Sequence, residues 1–209
     1  MALRDVKPTR SELINLKRKI KLSERGYNIL KMKRDGLILE FFKVLDEART
    51  TRGALEEKYG KAVGMIALSN TIEGTLALKS AALSVKEIPT IQLKSKNIMG
   101  VVVPEISSSK VKKGLLERGY GLLGTTSVMD ETATSYEDLV EAIIRSAEIE
   151  TTMKKLLDEI ESTKRRVNAL EFKVIPELTE ARDFIKMRLD EMEREELFRL
   201  KKIKARTKG

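Results

Sequence analysis

Residues 135–203, SYEDLVEAIIRSAEIETTMKKLLDEIESTKRRVNALEFKVIPELTEARDFIKMRLDEMEREELFRLKKI, decide the fold. Apolar side chains fall at Leu139, Ala142, Ile149, Met153, Leu156, Ile160, Val167, Leu170 and Val174, in steps of three, four or their sum of seven residues that draw one stripe down a helix. So narrow a stripe calls for a partner helix. Leu178, Ile185, Leu189 and Met192 carry it on, with a bend and a local shift expected at Pro176, where an N–H is missing and the ring clashes with the preceding turn. At about 1.5 Å per residue such a stretch makes a rod of roughly 100 Å, longer than a compact domain accommodates.

The partner stands at the other end of the chain. Thr9-Arg10-Ser11-Glu12 reads as a capping box, in which the Thr hydroxyl accepts the Glu12 amide and Glu12 reaches back, so a helix should start at Arg10. A 3,4 spacing then runs from Leu13, Leu16 and Ile20 through Leu37, Phe41 and Val44 to Ala62, Met65, Ser69 and Ile72, with no Pro to interrupt it. A heptad kept that long is a specific signal for coiled-coil packing. Glycines at 26, 36, 53, 60 and 64 each cost about 1 kcal/mol against Ala in a helix. Either a neighbouring helix or another polypeptide comes close to them, or a well-supported coil tolerates them.

Composition narrows the chemistry. With 35% charged and 4% aromatic residues, the 209-residue chain is poor material for a large core. It has no Cys, His or Trp, which removes disulfides, thiolate nucleophiles, imidazole bases and ordinary zinc sites. Its carboxylates are spread along helix faces in a solvated pattern, so we assign no catalytic residue, cofactor site or metal site. The N-terminal MALRDVKPTRSEL lacks a signal-peptide core, and the run Ile98–Val103 is far too short to span a bilayer. A single Gln, absent Cys and abundant Lys, Arg and Glu lean toward a thermophilic source. The net charge of +9 is uneven: residues 1–50 hold 13 Lys/Arg against 7 Asp/Glu, and residues 101–150 hold 5 against 9. Arg199, Lys201, Lys202, Lys204, Arg206 and Lys208 form a basic tail, read either as a solvated terminus or as a contact for an acidic partner or nucleic acid.

Between Gly74 and Glu131 the periodicity breaks at Pro89, Pro104 and a glycine cluster at 114, 119, 121 and 124. Leu76–Leu83 should be helical. The runs Thr90–Ser95 and Ile98–Val103 on either side of Lys96-Asn97 predict a β-hairpin. Gly119-Tyr120-Gly121-Leu122-Leu123-Gly124 has the G-x-G-x-x-G spacing but not the preceding strand, following helix and later acid of a dinucleotide turn, so it reads as a loop. Thr134-Ser135-Tyr136-Glu137 offers a second capping box, with Asp130 an alternative start one turn earlier. The expected fold is mainly α: a long antiparallel two-helix coiled coil of residues 1–74 and 132–209, joined by a small head, 75–131, holding the hairpin, short helices and glycine loop.

Four stretches then match a known family. They are Pro8-Thr9-Arg10-Ser11-Glu12-Leu13; Glu117-Arg118-Gly119-Tyr120-Gly121-Leu122-Leu123-Gly124-Thr125; Arg165-Arg166-Val167-Asn168-Ala169-Leu170-Glu171-Phe172 through Ile175-Pro176; and Phe198-Arg199-Leu200-Lys201-Lys202. Together they resemble the D subunit of the archaeal and vacuolar-type rotary ATPases over essentially the whole chain. The resemblance implies a non-catalytic central rotor shaft, peripheral on the cytoplasmic face of the membrane, whose paired ends lie inside the ring of A and B subunits. It also implies an F subunit beside the shaft and a funnel subunit of the membrane rotor ring below it. On that reading Leu197, Phe198 and Leu200, just before the basic tail, bear on the inner sleeve of the ring. Ile98, Val101, Val103, Tyr120, Leu122 and Leu123 either pack on nearby helix ends or meet the F subunit or the funnel. The competing reading is a coiled-coil nucleic-acid or ribosome-associated protein; alternating charges and few stacking aromatics argue against it.

Overall fold

The computed structural model describes residues 7–85, 89–109, 111–114, 117–121 and 125–207. The fold is mainly α. Helix α1 spans Arg10–Glu73 and α2 Thr75–Ser84; strands β1 (Ile91–Ile98) and β2 (Val101–Ser108) follow; then come α3 (Ser127–Ala169), a π-helical turn (Leu170–Val174) and α4 (Ile175–Thr207). Their contacts group into two units, Met1–Gly36 with Ile160–Gly209, and Leu37–Glu159.

In the first unit α1 and α4 pair antiparallel. Arg10 donates to Glu193 at 2.7 Å, while Leu16, further along α1, packs with Ala181 and Ile185, earlier in α4. Leu13, Leu178, Phe184 and Leu189 extend that core. The start at Arg10 is as expected, and the cap is half of the box: Thr9 Oγ1 accepts the Glu12 amide at 3.2 Å, but the Thr9 N–H goes to the Lys7 carbonyl at 2.9 Å. The irregularity expected at Pro176 takes the form of the π-turn just before it. The Ile175 N–H reaches back to the Leu170 carbonyl, so one extra residue is taken up within a continuous helix. That insertion matches the sequence, where Val167, Leu170 and Val174 are followed by a second four-residue step to Leu178 before Ile185, Leu189 and Met192.

In the second unit α1 and α3 also run antiparallel. Arg145 lies 3.5 Å from Glu47, Thr132 Oγ1 donates to the Met65 carbonyl at 3.2 Å, and the Thr126 amide donates to Glu73 at 3.0 Å. Leu37, Ala62, Leu139, Ala142, Ile149 and Leu156 are buried, together with Ser69, Ser146 and Thr152. These small polar residues occupy core positions that the apolar count alone leaves empty. Every position of the α1 stripe from Leu13 to Met65, and Ser69 beyond it, is buried or half-buried, and only the last, Ile72, is exposed. Gly26, Gly53, Gly60 and Gly64 have nothing within 4 Å of where a Cβ would stand, so no packing among the described residues requires them.

Three boundaries differ from expectation. The hairpin turns at Met99-Gly100, not at Lys96-Asn97: Ile98 pairs with Val101, and the strands run three residues further on the β1 side and five on the β2 side. Met99 (φ 49) and Gly100 (φ 87) both take the left-handed conformation of a two-residue turn whose twist matches that of the strands. Asn97 supplies a brace, its Oδ1 accepting the Gly100 N–H at 2.8 Å. Helix α3 starts at Ser127 rather than in the capping box at Thr134. The Thr134 and Ser135 hydroxyls instead donate back to the Asp130 and Glu131 carbonyls, both at 2.8 Å, as such residues do inside a helix. Leu76–Leu83 is helical, but in a new helix, because Gly74 (φ 81) ends α1.

Candidate interaction surfaces

The terminal cluster lies on α4 in the first unit. Leu197, Phe198 and Leu200 are all exposed, Phe198 at 70% of its surface, and Ile203 joins them one turn on. Lys201 stands 6.0 Å over the Phe198 ring and Arg199 lies 3.7 Å from Glu195. No core among the described residues takes up these side chains. They are mostly in water, and a partner that covered them fully would gain up to about 1.5–3 kcal/mol for each one.

The residues singled out in the second unit divide. Val101 and Val103 are buried, Val103 to 2% exposure, and Ile98 is half-buried. The hairpin is held down by Lys155 of α3, which donates to the Val102 carbonyl at 3.1 Å. Those side chains are therefore packing residues of the unit itself. The apolar surface the hairpin offers outward consists of Ile91, Leu93, Met99 and Val102, which were not in the expected set. Strand alternation was the available signal: once the turn is set at Met99-Gly100, Val101 and Val103 share one side and Val102 the other. Leu122 and Leu123 lie outside the described residues.

Tyr120 belongs to a polar cluster whose centre, Arg118, sequence reasoning passed over. The Arg118 guanidinium is buried and grips Glu137 of α3 with two hydrogen bonds, both 3.1 Å. It also donates to Thr134 Oγ1 (2.9 Å) and the Asp130 carbonyl (3.1 Å), while the Tyr120 hydroxyl donates to Asp130 Oδ1 at 2.7 Å. Burial opposes the charge on Arg118, but the bonds to Glu137 and Tyr120 more than offset it, so its pKa is held above the ordinary arginine value. The Tyr120 phenol is pushed up, first by burial and then by its bond to Asp130, with Arg118 pulling the other way. Between them Gly119 (φ 85) passes so close to α2 that a Cβ would stand 2.6 Å from the Ser84 carbonyl oxygen. The glycine spacing that resembles a nucleotide turn thus contains a backbone clamp. Arg118 and Tyr120 fasten it to α3, and Gly119 lets it meet α2.

Beside the clamp is a cavity of about 500 Å³ walled by Ile66, Leu78, Ala81, Met129, Tyr136 and Val140, with Arg118 and Glu137 at its edge. Its lining is mainly apolar, with Lys113, Thr132 and Tyr120 adding polar groups beside Arg118 and Glu137. Among the described residues no group of three or more acidic, His or Cys side chains is placed to hold a metal ion, and no helix is long and apolar enough to cross a membrane.

Comparison with known proteins adds the remaining finding. The family model for the D subunit of ATP synthase matches residues 12–205. The chain is 79% identical to the D subunit of the A-type ATP synthase of Methanoregula boonei over 99% of both chains. It is 64% identical to that of Methanosarcina acetivorans over the full length of both, and 54% identical to that of Haloarcula marismortui over 97% of this chain and 88% of the other.

Proposed function

The chain belongs to the family of ATP synthase D subunits, and from that premise we propose that it is the central rotor-stalk component of an A-type ATP synthase. It carries rotation between the catalytic A/B ring and the membrane rotor, coupling ion transport to ATP synthesis or hydrolysis. The chain is itself non-catalytic, with residues 1–74 and 132–209 as shaft and 75–131 as head. Its partners are the F subunit, the A and B subunits and the funnel subunit of the rotor ring, and it sits peripherally on the cytoplasmic face of the membrane. Nucleic acid is not among them.

The observation that carries this reading is the near-complete match to the family. The antiparallel pairing of helices in each unit supports it, since hydrogen-bonded helices locked by a buried stripe resist twisting better than a single helix does. Leu197, Phe198 and Leu200 serve as the bearing in the ring, and the outward side of the hairpin serves as a contact for the F subunit or the funnel.

Replacing Leu197, Phe198 and Leu200 together by Ser tests the bearing in a reconstituted synthase, with truncation after Lys186 as the harsher variant. Rotation-coupled ATP synthesis should fall while the F subunit still binds, and in the triple variant helicity should be kept, because these three side chains are mostly exposed. Normal coupling in the triple variant would rule the bearing out.

A further inference from the structure

Helix α1 stops at Glu73 with nothing in the local sequence to end it but one glycine. The ten residues after Gly74, TLALKSAALS, form helix α2 themselves, and the next Pro is Pro89. Gly74 takes φ 81 and ψ 158, a backbone conformation essentially confined to glycine. Its amide still reaches the Asn70 carbonyl at 3.2 Å, and the Leu78 amide reaches the Gly74 carbonyl at 3.3 Å, as in an unbroken helix. Between them the amides of Thr75, Leu76 and Ala77 begin α2 with no side-chain cap. The break turns α2 back: Ile66 of α1 and Ala81 of α2 wall the same cavity, although a straight helix would set them about 22 Å apart.

What holds α2 there is slight. Of its ten residues only Ala81 is buried, while Leu76 and Leu83 are 85% and 86% exposed. It packs across a cavity of about 500 Å³ rather than against a filled core, and a void forfeits the dispersion contacts of its lining. The break is fastened by Glu73, whose Oε1 accepts the Thr126 amide at 3.0 Å and the Thr126 hydroxyl as well. That fastening is incomplete. Glu73 Oε2 and, one turn back, Ser69 Oγ are buried without a hydrogen-bond partner among the described residues, which costs this arrangement free energy.

We infer that α2 is a hinged arm with two positions: turned back over the cavity, and coaxial with α1 as one helix of residues 10–84. Gly74 is the pivot, and Glu73 with Thr126 is the latch. Release gives the first-turn amides of α2 the carbonyls of Thr71, Ile72 and Glu73 as partners and gives up one wall of the cavity. Because a Cβ at Gly119 would meet the Ser84 carbonyl at the end of α2, release also removes one side of the 117–121 clamp. Arm and clamp therefore move together. The inference rests on the backbone and packing of this chain alone and stands whether or not the chain is a rotor stalk.

The chain has no Cys, so a single introduced thiol reports on its own site without background. Ala81→Cys probes the buried side of α2, and Ala142→Cys, buried on α3, is the control. In the full chain under native conditions, Gly74→Ala favours a helical pivot and strains the turned-back one. It should speed thiol labelling of Ala81→Cys by about thirtyfold or more and leave Ala142→Cys within about twofold. Glu73→Ala removes the latch but leaves Gly74 its conformation, so it should speed labelling by about fivefold or more, and it keeps the test decisive should Gly74→Ala fail to fold. Paired spin labels at the exposed Glu56 and Ser80 in Glu73→Ala/Gly74→Ala should show a population at about 36 Å, their separation along one straight helix. Unchanged labelling of Ala81→Cys in both backgrounds overturns the inference. Equal acceleration at Ala142→Cys makes Gly74 a constraint on the whole unit and overturns it too. Fast labelling without the population at about 36 Å does the same, since α2 then melts instead of joining α1.

Discussion

Replacing Arg118 by Met keeps most of the apolar stem and removes the guanidinium, isolating what the clamp contributes. The Arg118 and Glu137 side chains are 8% and 15% exposed and joined by two bonds of 3.1 Å. Breaking a fully buried pair costs about 3–5 kcal/mol because one charge is stranded, whereas an exposed pair is worth about 0–1 kcal/mol. Glu137 retains some access to water, so Arg118→Met should destabilise the second unit by about 2–3 kcal/mol. Glu137→Gln alone should cost less, since Arg118 keeps Thr134 and the Asp130 carbonyl as acceptors. The double variant should cost less than the sum of the two, by about 1–2 kcal/mol. Hydrogen exchange resolved by segment is the assay, followed at the amides of residues 117–121 and at the start of α3, where the loss should concentrate. A single variant within about 0.5 kcal/mol of wild type, or strictly additive costs, would refute the idea that the ion pair fastens the loop.

Three further changes probe neighbouring features. Gly119→Ala meets both a positive φ and the Ser84 carbonyl at 2.6 Å, so it should loosen the 117–121 segment by at least about 1–2 kcal/mol, read by the same exchange experiment; unchanged protection would mean that α2 yields freely. Met99→Asn puts the residue best suited to a left-handed turn before Gly100 and should stabilise the hairpin by about 0.5–1 kcal/mol, seen as slower proteolysis at the turn; faster cleavage would count against the turn assignment. Tyr120 has a folded-state pKa above its ordinary value, so its contribution is complete below about pH 10 and is lost as pH rises through the raised value. Wild-type stability should therefore fall more steeply above that pH than that of Tyr120→Phe, and parallel urea midpoints across the range would sink the assignment.

The long helices were legible because their stripes repeat many times, so errors at single positions average out. The head was less so, because its signals are single residues. Lys96-Asn97 looked like a turn on composition, yet the positive φ at Gly100 decided the register, and Ile98–Val103 had been read as one strand straight through that glycine. Thr134 and Ser135 carried the letters of a cap, but a hydroxyl serves a helix interior equally well once the chain has begun to coil at Ser127. Arg118 was passed over because its partners, Glu137 and Asp130, are distant in sequence and local pattern carries no sign of the pairing. Ser69 had its place in the 3,4 spacing of α1, whereas Ser146 and Thr152 were invisible to an apolar count although they are buried on the α3 stripe.

The π-turn at Leu170–Val174 has a mechanical side. A helix under torque behaves as springs in series, each turn twisting in inverse proportion to its stiffness, so the softest turn takes the largest share of the strain. At Leu170–Val174 the coil is wider than its neighbours, and two residues later Pro176 contributes no N–H to the axial hydrogen bonds. Elastic deformation along this strand of the coil therefore gathers at one known place. If the chain turns as the proposed rotor stalk, energy delivered in discrete steps at one end would be held there briefly as twist and returned, so that the other end would turn more smoothly than the end that is driven.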